Sequence, residues 1–334
     1  MEHSDYTVED IDFKIWAEHW KGLEYSNLLQ SWEYGEAKRV SEGWMPIRLV
    51  IKDRDGAPIA LAQVLVKTFV AVIKVARLNR GPLLITKNLA ETIDRIHISL
   101  NALKALKIES KRRNWLYFSL APEMPFSSEI QNAVIGIGFK SRAIPPAGSS
   151  FLKLSCDKDS LMSNLNGKWR NMLRKAQKSD LVISKFEGEE IPVLLVENIY
   201  KKLKDEKGFD GLSDSILHQF LTNNSFANDV KVFVCSETEL TGKDCDPAGV
   251  LISVHHGDTA TYLVGYTNQV GRKFNVNYLM LWHAILNAKK SGLSYYDLGG
   301  LNSSTPEGIR RFKSGLNGKE YSLTGEFRST LFHM

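Results

Sequence analysis

Residues 261–318, TYLVGYTNQVGRKFNVNYLMLWHAILNAKKSGLSYYDLGGLNSSTPEGIRRFKSGLNG, gather the side chains whose types and spacing could do chemistry. One apolar run ends in Gly265-Tyr266-Thr267. A second leads into Asp297-Leu298-Gly299-Gly300, and Arg310-Arg311-Phe312-Lys313 precedes Gly315 and Gly318. Glycines at strand ends let backbone approach a ligand closely. A lysine that follows an aromatic, beyond a flexible loop, can be held against low-dielectric walls, where its charge acts strongly on nearby developing charge. Asp297 has two readings, a catalytic carboxylate or a capping group for its own turn.

Other chemistries lack their usual supports. There is no GxSxG elbow, HExxH, P-loop or GxGxxG. The eight histidines lie apart except His255-His256, which with Gly257-Asp258 read as a solvated hairpin turn rather than a metal site. Within 160–179, Arg170, Arg174 and Lys178 fall four apart on one helical face, with Lys168 and Lys175 beside them. The stripe suits either a run of phosphates or plain solvation. Charge is unevenly placed along the chain: +5 over 151–185, −8 over 186–260 and +5 over 261–334. This pattern points to a local anion site more than to a uniformly basic surface.

The elements that position these residues form a coarse duplication, each half running helix, strands, helix, strand. In the first half, Leu28–Val40 reads as a helix, Ile47–Lys52 and Ile59–Val66 as strands, Ala90–Arg113 as a long basic helix and Trp115–Leu120 as a buried strand. Ile144–Ser150, with two prolines and a glycine, is the strongest boundary signal. The second half opens with a strand, Phe151–Leu154, and a helix over Ser160–Ser179 with Leu161, Leu165, Trp169, Leu173 and Ala176 as its apolar stripe. Val230–Cys235, Gly249–Val254 and Thr259–Tyr266 follow as antiparallel strands. Tyr278–Lys290 is a helix and Tyr295–Leu298 a short strand. This order is that of an N-acetyltransferase-like α/β domain, present twice: a first domain over 1–148, completed by 319–334, and a second over 149–318.

Composition bounds the class. The 334 residues are 43% hydrophobic and 24% charged, enough for two buried cores. Cys156, Cys235 and Cys245 are too few and too scattered for a disulfide framework, so a reducing compartment is expected. The opening MEHSDYTVEDIDF carries no apolar run of leader type. The most apolar stretch, Pro58–Leu78, is interrupted by Lys67 and Lys74 and reads as two strands rather than a membrane span.

The 261–318 motifs resemble those of the FemABX aminoacyltransferases, in which Tyr-x-x-Gly-[Ala/Tyr]-[Ser/Thr], Tyr-x-Asp-[Leu/Phe]-Gly-Gly and Arg-Phe-Lys-x-Gly occur in this order. Upstream, Ser31-Trp32-Glu33-Tyr34-Gly35-Glu36-Ala37-Lys38, Arg80-Gly81-Pro82 and Lys168-Trp169-Arg170-Asn171 through Ala176 are similar to further family segments. Together these matches span roughly residues 28–325.

The resemblance implies two tandem GNAT-like domains that transfer an amino acid from aminoacyl-tRNA to an amine of a peptidoglycan precursor or similar cell-envelope peptide. It implies no cofactor, because the ester donor is already activated, and no metal. It implies a cytoplasmic monomer whose partners are aminoacyl-tRNA and a UDP-linked or lipid-linked muropeptide, with peripheral membrane contact in the lipid-linked case. Lys313 and Phe312 then form the catalytic pair. Lys38, Trp32, Tyr34, Tyr262, Tyr266, Asp297, Gly299, Gly300 and Arg311 bind substrate, and Lys168, Arg170, Arg174, Lys175 and Lys178 contact tRNA phosphates. The final strand, Glu320–Phe327, returns to the first domain.

The chain departs from the family where Trp115–Pro122 carries Ser119 and Ala121 in place of an aspartate, and where only Lys207 stands near an expected arginine. Residues 200–226 are too few for a coiled-coil arm. Two competing readings are a CoA-dependent N-acyltransferase and a non-catalytic RNA- or nucleotide-binding protein. Against CoA, Phe274 and Val276 should crowd the phosphates in the loop Gly271–Asn277, which keeps only Gly271 of a small-residue cradle. Against simple RNA binding stands Lys313 beside its glycine-rich loop.

Overall fold

A computed structural model describes residues 4–70, 72–85, 92–208, 211–223, 229–237 and 246–331. Contacts divide the chain into two compact units, 1–148 with 302–304 and 321–334, and 149–301 with 305–320.

In the first unit, β1 (Thr7–Asp10) and α1 (Phe13–Trp20) lead to a 3-10 turn, Leu28–Gln30, and then α2 (Trp32–Glu42). The helix expected over Leu28–Val40 therefore starts late. Ser31 is its cap, accepting from the Tyr34 amide at 3.1 Å, and Gly43 ends it at φ +69°. The sheet is completed by β2 (Met45–Lys52), β3 (Pro58–Phe69), β4 (Ile73–Asn79), β5 (Leu83–Leu84), β6 (Trp115–Ala121), β7 (Lys140–Ser141) and β15 (Phe327–Thr330). Its order is β1-β2-β3-β4-β6-β15-β7, with β5 beside β3. Long helix α3 (Thr92–Arg112) carries the chain from β4 to β6, the parallel pair; residues 90 and 91 of the expected helix lie outside the described residues. The apolar stretch 58–78 is the β3/β4 hairpin, closed by the pair Phe69 and Ile73. No helix among the described residues is long and apolar enough to cross a membrane.

A buried polar network fixes the start of α2. The Gln30 amide donates to the Gln63 and Asn79 carbonyls at 3.1 and 2.7 Å and accepts from the Gln63 amide at 2.8 Å. Gln63 in turn donates to the Ser31 carbonyl at 2.8 Å and accepts from the Arg48 guanidinium at 3.1 Å. A Cβ on Gly81 would lie 2.9 Å from the Gln30 amide, so the Arg-Gly-Pro turn closes against this network.

In the first unit, α4 (Ser128–Gly136) lies between β6 and β7; the sheet of the second opens with β8 (Gly148–Lys153). Its other strands are β9 (Val182–Phe186), β10 (Val230–Ser236), β11 (Gly249–His256), β12 (Thr259–Thr267), β13 (Tyr295–Asp297) and β14 (Lys319–Ser322), in the order β14-β8-β13-β12-β11-β10-β9. Here α10 (Val276–Lys290) crosses from β12 to its parallel neighbour β13, as α3 does in the first unit. Alternation puts Phe233 and Cys235 of β10 into the core under α10, while Val232 and Val234, equally buried, serve the opposite face.

Three expectations are corrected here. The helix over Ser160–Ser179 is two, α5 (Lys158–Asn164) and α6 (Gly167–Ala176). Leu165 turns extended at ψ +145°, and the Asn166 side chain restarts the helix by accepting from the Lys168 amide at 2.9 Å. The apolar stripe survives the break, since Leu161, Leu165, Trp169, Leu173 and Ala176 are all buried. His255 and His256 belong to buried β11, and the turn is Gly257-Asp258 alone. The strand expected over Glu320–Phe327 is β14 and β15, interrupted at Leu323–Glu326. Between β9 and β10, α7 (Val193–Lys207) and α8 (Asp214–Thr222) pack on each other as a short pair; residues 209–210 and 224–228 lie outside the described residues.

Replacing Gln30 by Leu strands the Gln63 amide and two buried carbonyls. We expect a loss of at least about 2 kcal/mol in urea unfolding, since each orphaned buried group costs about 1–3 kcal/mol. A loss below half of that would show the network to be ornamental.

Candidate functional site

In the second unit the motif residues converge on one lysine. α11 (Glu307–Ser314) carries Lys313, which is only 7% exposed. Its ammonium donates to the Gly299 carbonyl at 2.7 Å and reaches that of Gly300 at 3.4 Å. It also stands 5.1 Å from the centre of the Tyr262 ring. Burial pulls this lysine down to about 8, although Asp297 acts in the opposite sense.

Asp297 closes the turn that presents those carbonyls. Its Oδ1 accepts from the Gly299 amide at 2.9 Å and from the Ser149 hydroxyl. The capping reading of Asp297 is thus met, and the same carboxylate supplies the negative charge nearest Lys313. Gly299 sits at φ +62°, and a Cβ there would press to 3.0 Å on the Tyr262 carbonyl.

A β-bulge aims Tyr262. The β11/β12 register passes from Ile252 opposite Val264 to Ser253 opposite Tyr262, leaving Leu263 as the extra residue. The phenol then folds over Gly265, where any Cβ would lie 1.6 Å from its oxygen. Burial raises the Tyr262 phenol well above its ordinary value, so it stays protonated.

The helix bearing Lys313 is anchored by its neighbour Phe312. The Phe312 ring stacks on Trp169 at 6.2 Å and meets Tyr278 edge-on at 5.0 Å, and the Trp169 indole donates to the Phe312 carbonyl at 3.0 Å. The Asn166 amide donates to the Gly315 carbonyl at 2.9 Å. A Cβ at Gly315 would meet the Trp169 ring at 2.7 Å, and one at Gly318 the Phe151 carbonyl at 2.9 Å. Phe312 is therefore a positioning residue. Ser149, Asn166 and Tyr278 belong to the same scaffold and were not singled out as site residues; only their places beside Phe151, Trp169 and the α10 start hinted at them.

Other expected site residues have partners of their own. Tyr266 is buried with Lys202 over its ring at 5.6 Å, and Arg311 is exposed and paired with Glu307. On α6, Lys168, Arg174 and Lys175 are exposed, as is Lys178 just beyond the helix, while Arg170 turns back to the Ser163 carbonyl at 2.9 Å. In the first unit, Trp32 stacks under the Arg48 guanidinium at 3.5 Å, and Tyr34 is buried. Lys38 is half-buried, ion-paired with Glu42 at 2.8 Å and 5.8 Å from the Tyr34 ring. The acid following β6 is Glu123, clamped by Arg80 through two bonds of 2.7 and 2.8 Å.

The 271–277 segment departs from expectation. Val276 is fully buried in the core and crowds nothing outside it. Residues Gln269–Lys273 form helix α9, in which a Cβ on Gly271 would lie 1.9 Å from the Ala248 carbonyl and the Gly271 amide already bonds Asn268 Oδ1 at 2.9 Å. Gly271 is thus present for packing. His255 is buried with its Nε2 unpartnered, and burial drives it down to about 4. Among the described residues no group of acids, histidines and cysteines is placed to hold a metal.

Residues 237–331 match the model of the FemAB family, the segment that carries the Lys313 constellation. A crystal structure of FemX is similar over 99% of this chain and 97% of that one, at 16% identity and a TM-score of 0.75. A tandem GNAT protein from the clavulanic acid biosynthesis pathway is similar over 98% and 99%, at 10% identity and 0.54. L-PGS from Bacillus licheniformis follows over 100% and 95%, at 8% identity and 0.51. The fold is accordingly a tandem of two GNAT-like domains. No curated protein matches the sequence.

The lowered lysine makes a stability prediction. Between pH 8 and the ordinary 10.5, the unfolded chain holds a proton at Lys313 that the folded chain has released. Folded stability therefore gains as pH rises through that window, with a slope of up to about 1.4 kcal/mol per pH unit. Urea unfolding of the protein and of Lys313→Met at pH 7.5, 9 and 10 should show the gain in the first minus the second; parallel curves would refute the burial.

Proposed function

We propose that this chain, a member of the FemAB family, is an aminoacyltransferase that moves an amino acid from aminoacyl-tRNA to an amine of a peptidoglycan precursor or similar cell-envelope peptide. The family match supports a transferase of this class, and one observation carries the reading for the site: a buried ammonium held by two carbonyls beside a glycine turn and a protonated tyrosine.

The acceptor amine attacks the ester carbonyl, and its oxygen gains negative charge as the C–N bond forms. The Lys313 cation stabilises that oxyanion. Collapse then breaks the ester C–O bond, and the ribose oxygen leaves with a proton lost by the amine. Removing one such preorganised donor costs about 10²–10³ in rate. Holding both substrates together supplies much of the remainder. Because the donor ester is already activated, no cofactor enters the proposal. The exposed lysines and Arg174 of α6 offer charge to tRNA phosphates, and Lys38 offers it to an acceptor phosphate.

The CoA-dependent alternative draws on the tandem GNAT neighbour and on the start of α10, where the Asn275 side chain makes no capping bond. Against it, Gly271 is committed to packing and its amide is occupied. Calorimetry with acetyl-CoA should therefore give no saturable heat; a micromolar constant would promote that alternative.

Transfer is tested with charged tRNA and UDP-linked muropeptide. Lys313→Met should lower kcat by about two to three orders of magnitude while leaving the chain folded, with acceptor KM changed far less. Activity that depends on the cation should also decline above about pH 8. Lys38→Met should instead raise acceptor KM and spare kcat. Normal turnover by Lys313→Met would end the assignment.

A further inference from the structure

The β3/β4 hairpin leaves part of the most apolar stretch of the chain in solvent. Phe69, Val70, Val72 and Ile73 are 45%, 85%, 76% and 39% exposed, and Met45, paired across the ladder with Val66, is 58% exposed. Exposed apolar residues usually scatter singly over a surface; five at one end of one sheet form a patch. The turn shows a second signature. Val70 holds φ at +48°, a left-handed conformation that is costly for a β-branched side chain and easy for glycine or asparagine. The apolar surface is thus kept at the expense of turn chemistry.

Basic side chains frame the patch. The Lys67 ammonium stands 5.8 Å from the Phe69 ring and 5.9 Å from the Trp44 ring while donating to the Glu42 carbonyl at 2.8 Å. Lys74 is exposed and lies in register with Trp115, so the last turn of α3, with Lys111 and Arg112 exposed, ends at the same edge. The acids at this end are already engaged: Glu42 by Lys38, Glu109 by Arg112 and Arg113, and Asp10 by Arg113. An apolar tip ringed by cations complements one kind of surface, hydrocarbon lying under anionic headgroups.

We propose that this hairpin docks the protein on an anionic membrane, with Phe69, Val70, Val72 and Ile73 entering below the headgroups and Lys67 and Lys74 meeting lipid phosphates. The proposal stands apart from the transfer reaction and survives its failure. Its test is co-sedimentation of the full chain with vesicles of equal phosphatidylglycerol and phosphatidylcholine. Binding is expected, at least about tenfold tighter than to phosphatidylcholine alone. Val70→Asn should bind several-fold more weakly while its Tm holds or rises, because asparagine accepts the turn conformation. Val70→Asn with Val72→Asp should weaken binding about tenfold or more, and Lys67→Gln with Lys74→Gln should remove the preference for anionic vesicles. The proposal is overturned if the protein ignores anionic vesicles or if Val70→Asn with Val72→Asp binds as well as the parent. It is equally overturned if sedimentation velocity shows a parent dimer that this variant dissolves, which would give the patch to a second copy.

Discussion

The second unit is organised around the cost of keeping one ammonium out of water. Lys313 is buried, and an unpaired buried cation is expensive. Its compensation comes from two main-chain carbonyls, a tyrosine face and a carboxylate set back behind the turn, instead of from a direct ion pair. That choice has a chemical consequence. A lysine locked to a carboxylate would have its charge spent, whereas one held by carbonyl dipoles keeps a field to offer an incoming oxyanion. The remaining motif residues are explained by this requirement. Asp297 shapes the turn, Gly299 permits the approach to the Tyr262 strand, and the Leu263 bulge with Gly265 aims the tyrosine. Phe312, Trp169 and Gly315 fix the helix that delivers the ammonium.

The two units solve one folding problem twice. In each, a helix crosses from one antiparallel strand to a parallel neighbour, β4 to β6 over α3 and β12 to β13 over α10. Parallel pairing needs such a crossover connection. The units differ in what that frame holds. The second presents a lysine held by carbonyls; the first carries a hydrogen-bonded network of Gln30, Gln63 and Arg48, whose guanidinium is ion-paired with Glu36, and has Glu123 clamped by Arg80.

Much of this was legible in the residues. The strands of both sheets follow from alternation and apolar runs, and the crossing helices from their 3.6-residue pattern. Family motifs supplied the site, because the physical reason for Gly315 or Gly318 is a contact with Trp169 or Phe151, distant in sequence and invisible to local pattern. The failures have physical causes. The α5/α6 break leaves the apolar stripe intact, so periodicity could not reveal it; only the Asn166-Gly167 pair signalled it. His255-His256 looked like turn residues by polarity, but a two-residue hairpin needs only Gly257-Asp258, and tertiary packing buries the imidazoles. Val276 read as a loop residue because helix starts are poorly marked without a side-chain cap, and Asn275 provides none.

The central claim is that a positive charge at position 313 acts on the reacting carbonyl, and chemical replacement of that charge tests it most directly. Lys313→Cys should lose transfer activity; alkylation with bromoethylamine, which rebuilds an ammonium through a thioether at the same reach, should restore it. The parent chain treated identically controls for Cys156 and the other native cysteines. Recovery of a large part of the lost turnover, with no recovery on alkylation by iodoacetamide, is the result this account predicts. Equal activity of Lys313→Cys before and after aminoethylation, at the parent's level or at none, would contradict it.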